Sequence, residues 1–300
     1  MDWRLKALAQ GVFSNIPFGS RVNYLVQRHV TRSLPVSETE FKSVVAMATN
    51  HFGSLERHFS RPLQSATFYE FGAGWDLVVP FAFCSLGVQR QIVTDILPLA
   101  RPELIGETIT RCQQANKKFP GSPKRLWNGH GDKFTTYLQE CYGIEYRAPC
   151  DARRTSLHAG SIDCITSTNT LEHIPPVSIR EIFTECHRLL RPDGVMSFLI
   201  DYEDHYSYFD KTISGYNFLK YSDLYWKFLS PSLQYQNRLR HKDYIQMLES
   251  AGFEVIEEQR QDGDLEALAA ISVAERFKHY TPEELAVRNS YILARKHKAS

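Results

Sequence analysis

A short apolar run, Thr67–Phe71, passes directly into Gly72-Ala73-Gly74-Trp75-Asp76, and the next such run, Gln91–Asp95, closes on an acid 21 residues beyond Gly74. Two glycines at the end of a strand permit positive φ and let backbone approach a ligand, although the same pair also serves a plain tight turn. An acid about 20 residues further on is where a carboxylate meets a ribose hydroxyl in doubly wound nucleotide-binding sheets. The G-x-G-x-x-G dinucleotide fingerprint needs a third glycine at position 77, for close helix–strand packing. Leu77 stands there, which argues against a nicotinamide ligand.

Further strands are expected at Ile144–Ala148, Ile162–Ser167, Val195–Asp201, Phe253–Glu258 and Ser290–Lys296. Between the fourth and fifth strands of the chain, Ser178–Leu190 carries Ile179, Ile182, Phe183, Cys186 and Leu189 at helical spacing, and Arg191-Pro192-Asp193-Gly194 reads as its stop. Asp243–Ser250 reads as a helix ended by Gly252, and the link around Glu266–Tyr280 as helical. This alternation predicts an α/β fold: a Rossmann-like, doubly wound, mostly parallel seven-stranded sheet with helices on both faces. Residues 1–65 read as an N-terminal helical extension or lid, broken at Pro17 and Pro35. Ser37 and Glu40 have capping-box spacing before a face of Phe41, Val44, Val45, Ala48 and Phe52. Residues 66–300 form the main domain, with an aromatic-rich cap insertion at 202–240.

In order, Glu70-x-Gly72-x-Gly74, Asp95, Asp151-Ala152, Ser161–Ser167 with Leu171-Glu172-His173-Ile174, and Leu189–Val195 resemble the motifs of class I S-adenosylmethionine (SAM)-dependent methyltransferases. The fourth motif is similar to its version in ubiquinone-biosynthesis-type enzymes. The resemblance covers about residues 66–200, with a fainter echo at 241–296. It implies SAM as cofactor and S-adenosylhomocysteine as product, held by Glu70, Gly72, Gly74, Asp95, Asp151, Ala152 and Asn169. Where the family often has a further glycine this chain has Asp76, whose carboxylate either meets the cofactor's ammonium group or caps the following helix.

Acceptor chemistry belongs at the carboxyl ends of the strands. Asn169, Glu172 and His173 follow the fourth strand; Asp201, Tyr202, Glu203, Asp204 and His205 follow the fifth. His205, Asp201 and His173 are the candidate catalytic residues, since a hydroxyl acceptor must lose a proton. Each also has an ordinary reading: a solvent-facing loop histidine, a strand-end cap and a loop brace. Tyr202, Tyr206 and Tyr208 open an aromatic stretch suited to lining an acceptor pocket or to forming a core of its own. No metal is expected, because Thr168-Asn169-Thr170 stands where metal-dependent relatives carry an aspartate. The stretches Asp204–Asp210 and Tyr216–Ser222 resemble segments of bacterial surface-glycan methyltransferases, which implies a sugar or glycan-precursor hydroxyl. An N-methyltransferase of a small metabolite and a non-catalytic SAM-binding module are the alternatives.

Net charge +1 gives no basic excess for a nucleic-acid partner. Residues 1–65 hold eight Lys or Arg against four Asp or Glu, a balance that suits an anionic substrate, peripheral membrane contact or a solvated helical face. No uninterrupted apolar stretch is long enough to span a bilayer. Six cysteines without disulfide or zinc spacing fit a cytoplasmic chain.

Overall fold

The computed structural model of the chain describes residues 2–14, 34–116, 132–232 and 235–297, with Tyr24, Arg28 and Phe119. Pro17, expected to break the extension, lies outside the described residues.

Seven strands form one sheet: β1 (Thr67–Phe71), β2 (Arg90–Thr94), β3 (Ile144–Arg147), β4 (Ile162–Thr168), β5 (Leu190–Asp201), β6 (Phe253–Gln261) and β7 (Asn289–Lys296). Their order is β3-β2-β1-β4-β5-β7-β6. The first five are parallel, and β7 pairs antiparallel with both β5 and β6. The expected mostly parallel α/β sheet is present. Because the chain runs outward from β1 to β3 and then returns to place β4 on β1's other side, the topology switches there. A crevice opens at the carboxyl ends of these two strands.

Two helical layers cover the sheet. α1 (Trp3–Ser14) and α2 (Glu38–His58) precede β1, and α3 (Val78–Ser85) follows it. α4 (Pro102–Ala115), α5 (Asp132–Tyr142), α6 (Pro176–Leu189), α7 (Asp223–Leu229) and α8 (His241–Ser250) come next, then the short α9 (Leu265–Ala269) and α10 (Pro282–Ala286). Strand side chains alternate between the layers, as period two requires. Phe68, Cys164, Val195 and Leu293 pack with α2 and α3. Tyr69, Ile165, Met196 and Ile292 pack with α6 and α8. Ser37 starts α2, its Oγ accepting from the Glu40 N–H at 3.2 Å.

Two local expectations are corrected. Arg191-Pro192-Asp193-Gly194 does not separate helix from strand; β5 begins at Leu190, directly after α6, and these residues form an irregular stretch inside it. A Cβ at position 194 would sit 2.8 Å from the Asp163 carbonyl oxygen, so glycine lets β5 close on β4. The link 266–280 is not one helix: it holds α9 and a single 3-10 turn at Glu275–Phe277.

The aromatic stretch after β5 builds a core of its own, in which Tyr206, Tyr216, Phe218 and Trp226 meet Trp3 of α1 and Phe277. A fully buried arginine fastens this layer to the sheet. Arg240 Nη1 donates to the Tyr202 carbonyl at 2.6 Å, and Nη2 to those of Leu285 and Val287 at 2.7 and 2.6 Å. Removing it relieves a buried charge but strands three carbonyls, each worth about 1–3 kcal/mol when left unpaired. The stranded groups outweigh the relief. Arg240→Met is expected to lower the free energy of unfolding by at least about 2 kcal/mol, read from urea denaturation with an unchanged m-value.

Candidate active site

β1 ends in a turn through Gly72 (φ +84°) and Gly74 (φ +70°). A Cβ at Gly72 would meet Thr170 Oγ1 at 2.2 Å, so the turn packs directly on the loop after β4. A Cβ at Gly74 would meet nothing within 4 Å: the second glycine faces open space. Asp95, one residue past β2, points at that turn. Its Oδ2 accepts from the Gly74 N–H at 3.1 Å and its Oδ1 from the Leu97 N–H at 3.0 Å. A carboxylate has about four lone-pair sites, so two remain for a pair of hydroxyls. Burial raises the Asp95 pKa, and the amides of Leu97, Gly74 and Ile96 draw it back.

Glu70 lies buried within β1, accepting from Thr166 Oγ1 at 3.3 Å, and burial pushes its pKa up to about 8. Asp76 sits before α3; burial raises its pKa and the Val78 N–H opposes the rise. The N-cap of α3 is Leu77, in a left-handed conformation and without a side-chain cap hydrogen bond, so Asp76 stands one residue before the cap. Both oxygens of Asp151 are engaged by Arg153, at 3.0 Å from Nε and 2.6 Å from Nη2, and this pairing holds its pKa low. Ala152 packs against the sheet's core. The Cys150 N–H donates to the Asp95 carbonyl at 2.8 Å, tying this loop to the end of β2. On the far side Tyr24 stacks on Trp75, ring centres 5.2 Å apart.

Beside the turn lies a cleft of about 320 Å³ lined by Met47, Asn169, Leu199, Asp201, Tyr208, Asn289 and Tyr291. Asn169 adopts a left-handed conformation (φ +47°) and its N–H donates to the Leu199 carbonyl at 3.0 Å. Asp201 Oδ2 accepts from the Tyr208 hydroxyl and stands 3.2 Å from His205 Nε2, while Oδ1 accepts from the Glu203 N–H at 2.9 Å. Burial opposes ionisation of Asp201, but His205 and the Tyr208 hydroxyl outweigh it and hold its pKa below the ordinary range. Burial and the Asp201 charge push the Tyr208 hydroxyl up, so it stays protonated. His205 stacks on Tyr208 at 5.3 Å and meets His173 edge-on at 4.8 Å. His173 donates from Nδ1 to the Tyr235 carbonyl at 2.8 Å; burial, then the neighbouring His205, lowers its pKa to about 4.

The structure thus gathers His205, Asp201 and His173 in one cluster, with Asn169 at the cleft edge. It separates the three tyrosines. Tyr208 lines the cleft, whereas Tyr202 and Tyr206 are only 2% and 3% exposed and belong to the packed interior. The Tyr202 hydroxyl bonds Ser290 Oγ at 2.8 Å and that of Tyr206 donates to the Leu229 carbonyl at 2.8 Å. The expectation that these two line an acceptor pocket is corrected: interior partners already satisfy both polar tips.

Met47, Leu199, Asn289 and Tyr291 were not foreseen as cleft residues, nor was His51 as a buried support. His51 Nδ1 lies 2.7 Å from Ser197 Oγ, and burial pushes its pKa down to about 3. Its place among Ala48, Phe52 and Leu55 on one face of α2 is the signal that would have turned it inward.

A family model described as a methyltransferase domain matches residues 102–258. No curated protein matches the chain significantly. Among solved structures, the chain is similar to 1,6-didemethyltoxoflavin-N1-methyltransferase of Burkholderia thailandensis, with 14% identity, coverage of 93% of this chain and 88% of that one, and a TM-score of 0.47. It is also similar to geranyl diphosphate C-methyltransferase of Streptomyces coelicolor A3(2), with 12% identity, coverage of 88% and 86%, and a TM-score of 0.47. Phosphoethanolamine N-methyltransferase 2 of Haemonchus contortus gives 13%, 83%, 53% and 0.47 for the same measures. Likenesses this distant do not extend to the acceptor. Among the described residues, no helix is long and apolar enough to cross a membrane.

Proposed function

Given that the chain belongs to the methyltransferase-domain family, and so draws its methyl group from SAM, we propose that it methylates a hydroxyl of a small molecule of the sugar or glycan-precursor class, in the cytoplasm. The observation carrying the acceptor reading is the Asp201–His205 pair, with Asp201 and Tyr208 on the cleft wall. An amine with a free lone pair needs no base, whereas a hydroxyl does.

Bound SAM supplies an electrophilic methyl carbon on a sulfonium, and leaves as S-adenosylhomocysteine. The open space at Gly74 and the spare lone pairs of Asp95 fit the sugar of such a nucleoside. Asn169, next to the Thr170 that packs on Gly72, lines the acceptor cleft and so stands where the two spaces meet. Met47 and Tyr291 enclose the acceptor and exclude water, and the Asp201–His205 pair takes the hydroxyl proton as the new C–O bond forms. The extension contributes Met47 from α2, so it serves as a wall of the cleft. Six free cysteines, four of them buried, suit a reducing compartment.

The test is transfer from labelled SAM to a panel of sugar phosphates, glycosides and matched amines. Methylation of hydroxyls supports the reading. Methylation confined to amines replaces it with the N-methyltransferase alternative, and binding of SAM without any turnover replaces it with a binding module.

Peripheral membrane contact is supported by one further observation. α1 packs on α7, with Trp3 and Ala7 turned inward, yet Leu5, Leu8, Leu224 and Phe228 on the outer faces are 61–77% exposed, and Arg4 and Lys227 lie on the same helices. Apolar side chains beside cations suit an anionic bilayer surface. The protein should float with phosphatidylglycerol vesicles, and Leu8→Asp with Phe228→Asp should abolish flotation; a wild-type protein left at the bottom of the gradient rejects the contact.

A further inference from the structure

Glu172, in the 3-10 turn that follows β4, is 2% exposed, and neither carboxylate oxygen has a hydrogen-bond partner of ordinary geometry. The amides of Glu172 itself and of Asp201 lend it only a weaker favourable field, and burial together with the Asp201 charge raises its pKa well above the usual range. A buried polar group left this way is costly, at about 1–3 kcal/mol and more if charged. Few folded chains keep one without a use.

Two imidazoles surround it. One ligand atom each from Glu172, His173 and His205 lie within 4.8 Å of one another. His173 uses its Nδ1–H on the Tyr235 carbonyl, which leaves the Nε2 lone pair free and fixes the ring. This is how metal-bound histidines are commonly oriented. His205 Nε2 is buried without a hydrogen bond, although Asp201 Oδ2 stands 3.2 Å away in poorer alignment. No contiguous motif announces this set, since His205 comes 32 residues after His173. The expectation of no metal rested on the stretch Thr168-Asn169-Thr170 alone.

We propose that Glu172, His173 and His205 form a binding site for a divalent transition-metal ion of the zinc type, behind the cleft wall made by Asp201 and Tyr208. Two imidazoles and one carboxylate suit zinc or cobalt better than magnesium or calcium, which prefer oxygen ligands throughout. Bonds of about 2.0–2.1 Å require the three ligand atoms to draw together, which small movements of the His205 ring and the Glu172 carboxylate toward the fixed His173 supply. A dication also offsets the buried Glu172 charge. Three protein ligands leave a position open for water, and an ion holding the His205 ring fixes the group that stands beside Asp201, which takes the acceptor's proton at the cleft. That role in transfer rests on the hydroxyl-acceptor reading; the binding site itself does not.

Chelator-treated full-length protein titrated with Co²⁺ is expected to develop visible absorption that saturates at one equivalent and is displaced by Zn²⁺. Two hyperfine-shifted imidazole N–H signals should accompany it in the proton NMR spectrum. Glu172→Gln and His205→Asn should each weaken Co²⁺ binding by at least about 100-fold, the upper end of what loss of an outer partner costs. The variants' binding of S-adenosylhomocysteine should persist, showing that they fold. No saturable absorption in the wild-type protein overturns the site, as does absorption that both folded variants retain unchanged. Should neither variant fold, the wild-type NMR signals decide: two shifted imidazoles uphold the site, and any other number overturns it. Failure of the wild-type protein to bind S-adenosylhomocysteine is a separate result, against the methyl-transfer reading and not against the metal.

Discussion

Asp95→Ala is expected to weaken binding of S-adenosylhomocysteine by on the order of 100-fold or more. Hydrogen bonds to a charged group are worth about 1.5–3 kcal/mol each. Losing two to the ribose therefore removes at least about 3 kcal/mol, and each 1.4 kcal/mol is a factor of about ten. The same carboxylate also holds the Gly74 and Leu97 amides, so alanine additionally loosens the turn. Asp95→Asn separates the two effects, because it retains the side chain's shape and one acceptor oxygen; its loss should be nearer tenfold. Calorimetric titration checks both. Affinities within twofold of wild type in both variants would remove Asp95 from the nucleoside site.

Asp201→Asn should leave that affinity alone and strike the transfer step instead. General-base assistance contributes about 10²–10⁴-fold, so kcat on the acceptor is expected to fall by about that factor while the donor's dissociation constant stays within about twofold. The sign of the pH dependence follows from the cleft's electrostatics. His205 and Tyr208 hold the Asp201 carboxyl below its ordinary range against the opposing effect of burial, so the ionised form persists through neutral pH. Protonation of Asp201 should impose no acid limb on kcat until the pH falls below about 3.9, the ordinary aspartate value. An unaltered kcat in Asp201→Asn, measured with a hydroxyl acceptor, would show that the pair takes no proton.

The sheet was legible because its information is local. Alternating or continuous apolar runs bounded by turns mark β1, β4 and β7 without reference to anything distant. The glycine turn and Asp95 were legible for a related reason: each does its work by backbone geometry at a fixed distance along the chain. What was not legible depends on folding at long range. Tyr202 and Tyr208 are six residues apart with the same chemistry, yet one hydroxyl meets Ser290 inside and the other meets Asp201 at the cleft. Met47 and Tyr291 approach the cleft from opposite ends of the chain. Helices α4 and α5 escaped because their amphipathic faces are interrupted by polar residues, although Pro102 is a good helix start. The stretch Arg191–Gly194 misled because proline and glycine together signal a break more often than an irregular strand.

The contact between Gly72 and Thr170 bears on how donor and acceptor communicate. With no room for even one carbon between them, the nucleoside-side loop and the acceptor-side loop behave as a single mechanical part. A ligand that shifts the first must carry along Asn169, directly before that threonine, and Glu172, two residues after it. Adding a methyl group at position 72 would accordingly be felt in both compartments at once, as weaker donor affinity and as a displaced methyl-receiving atom.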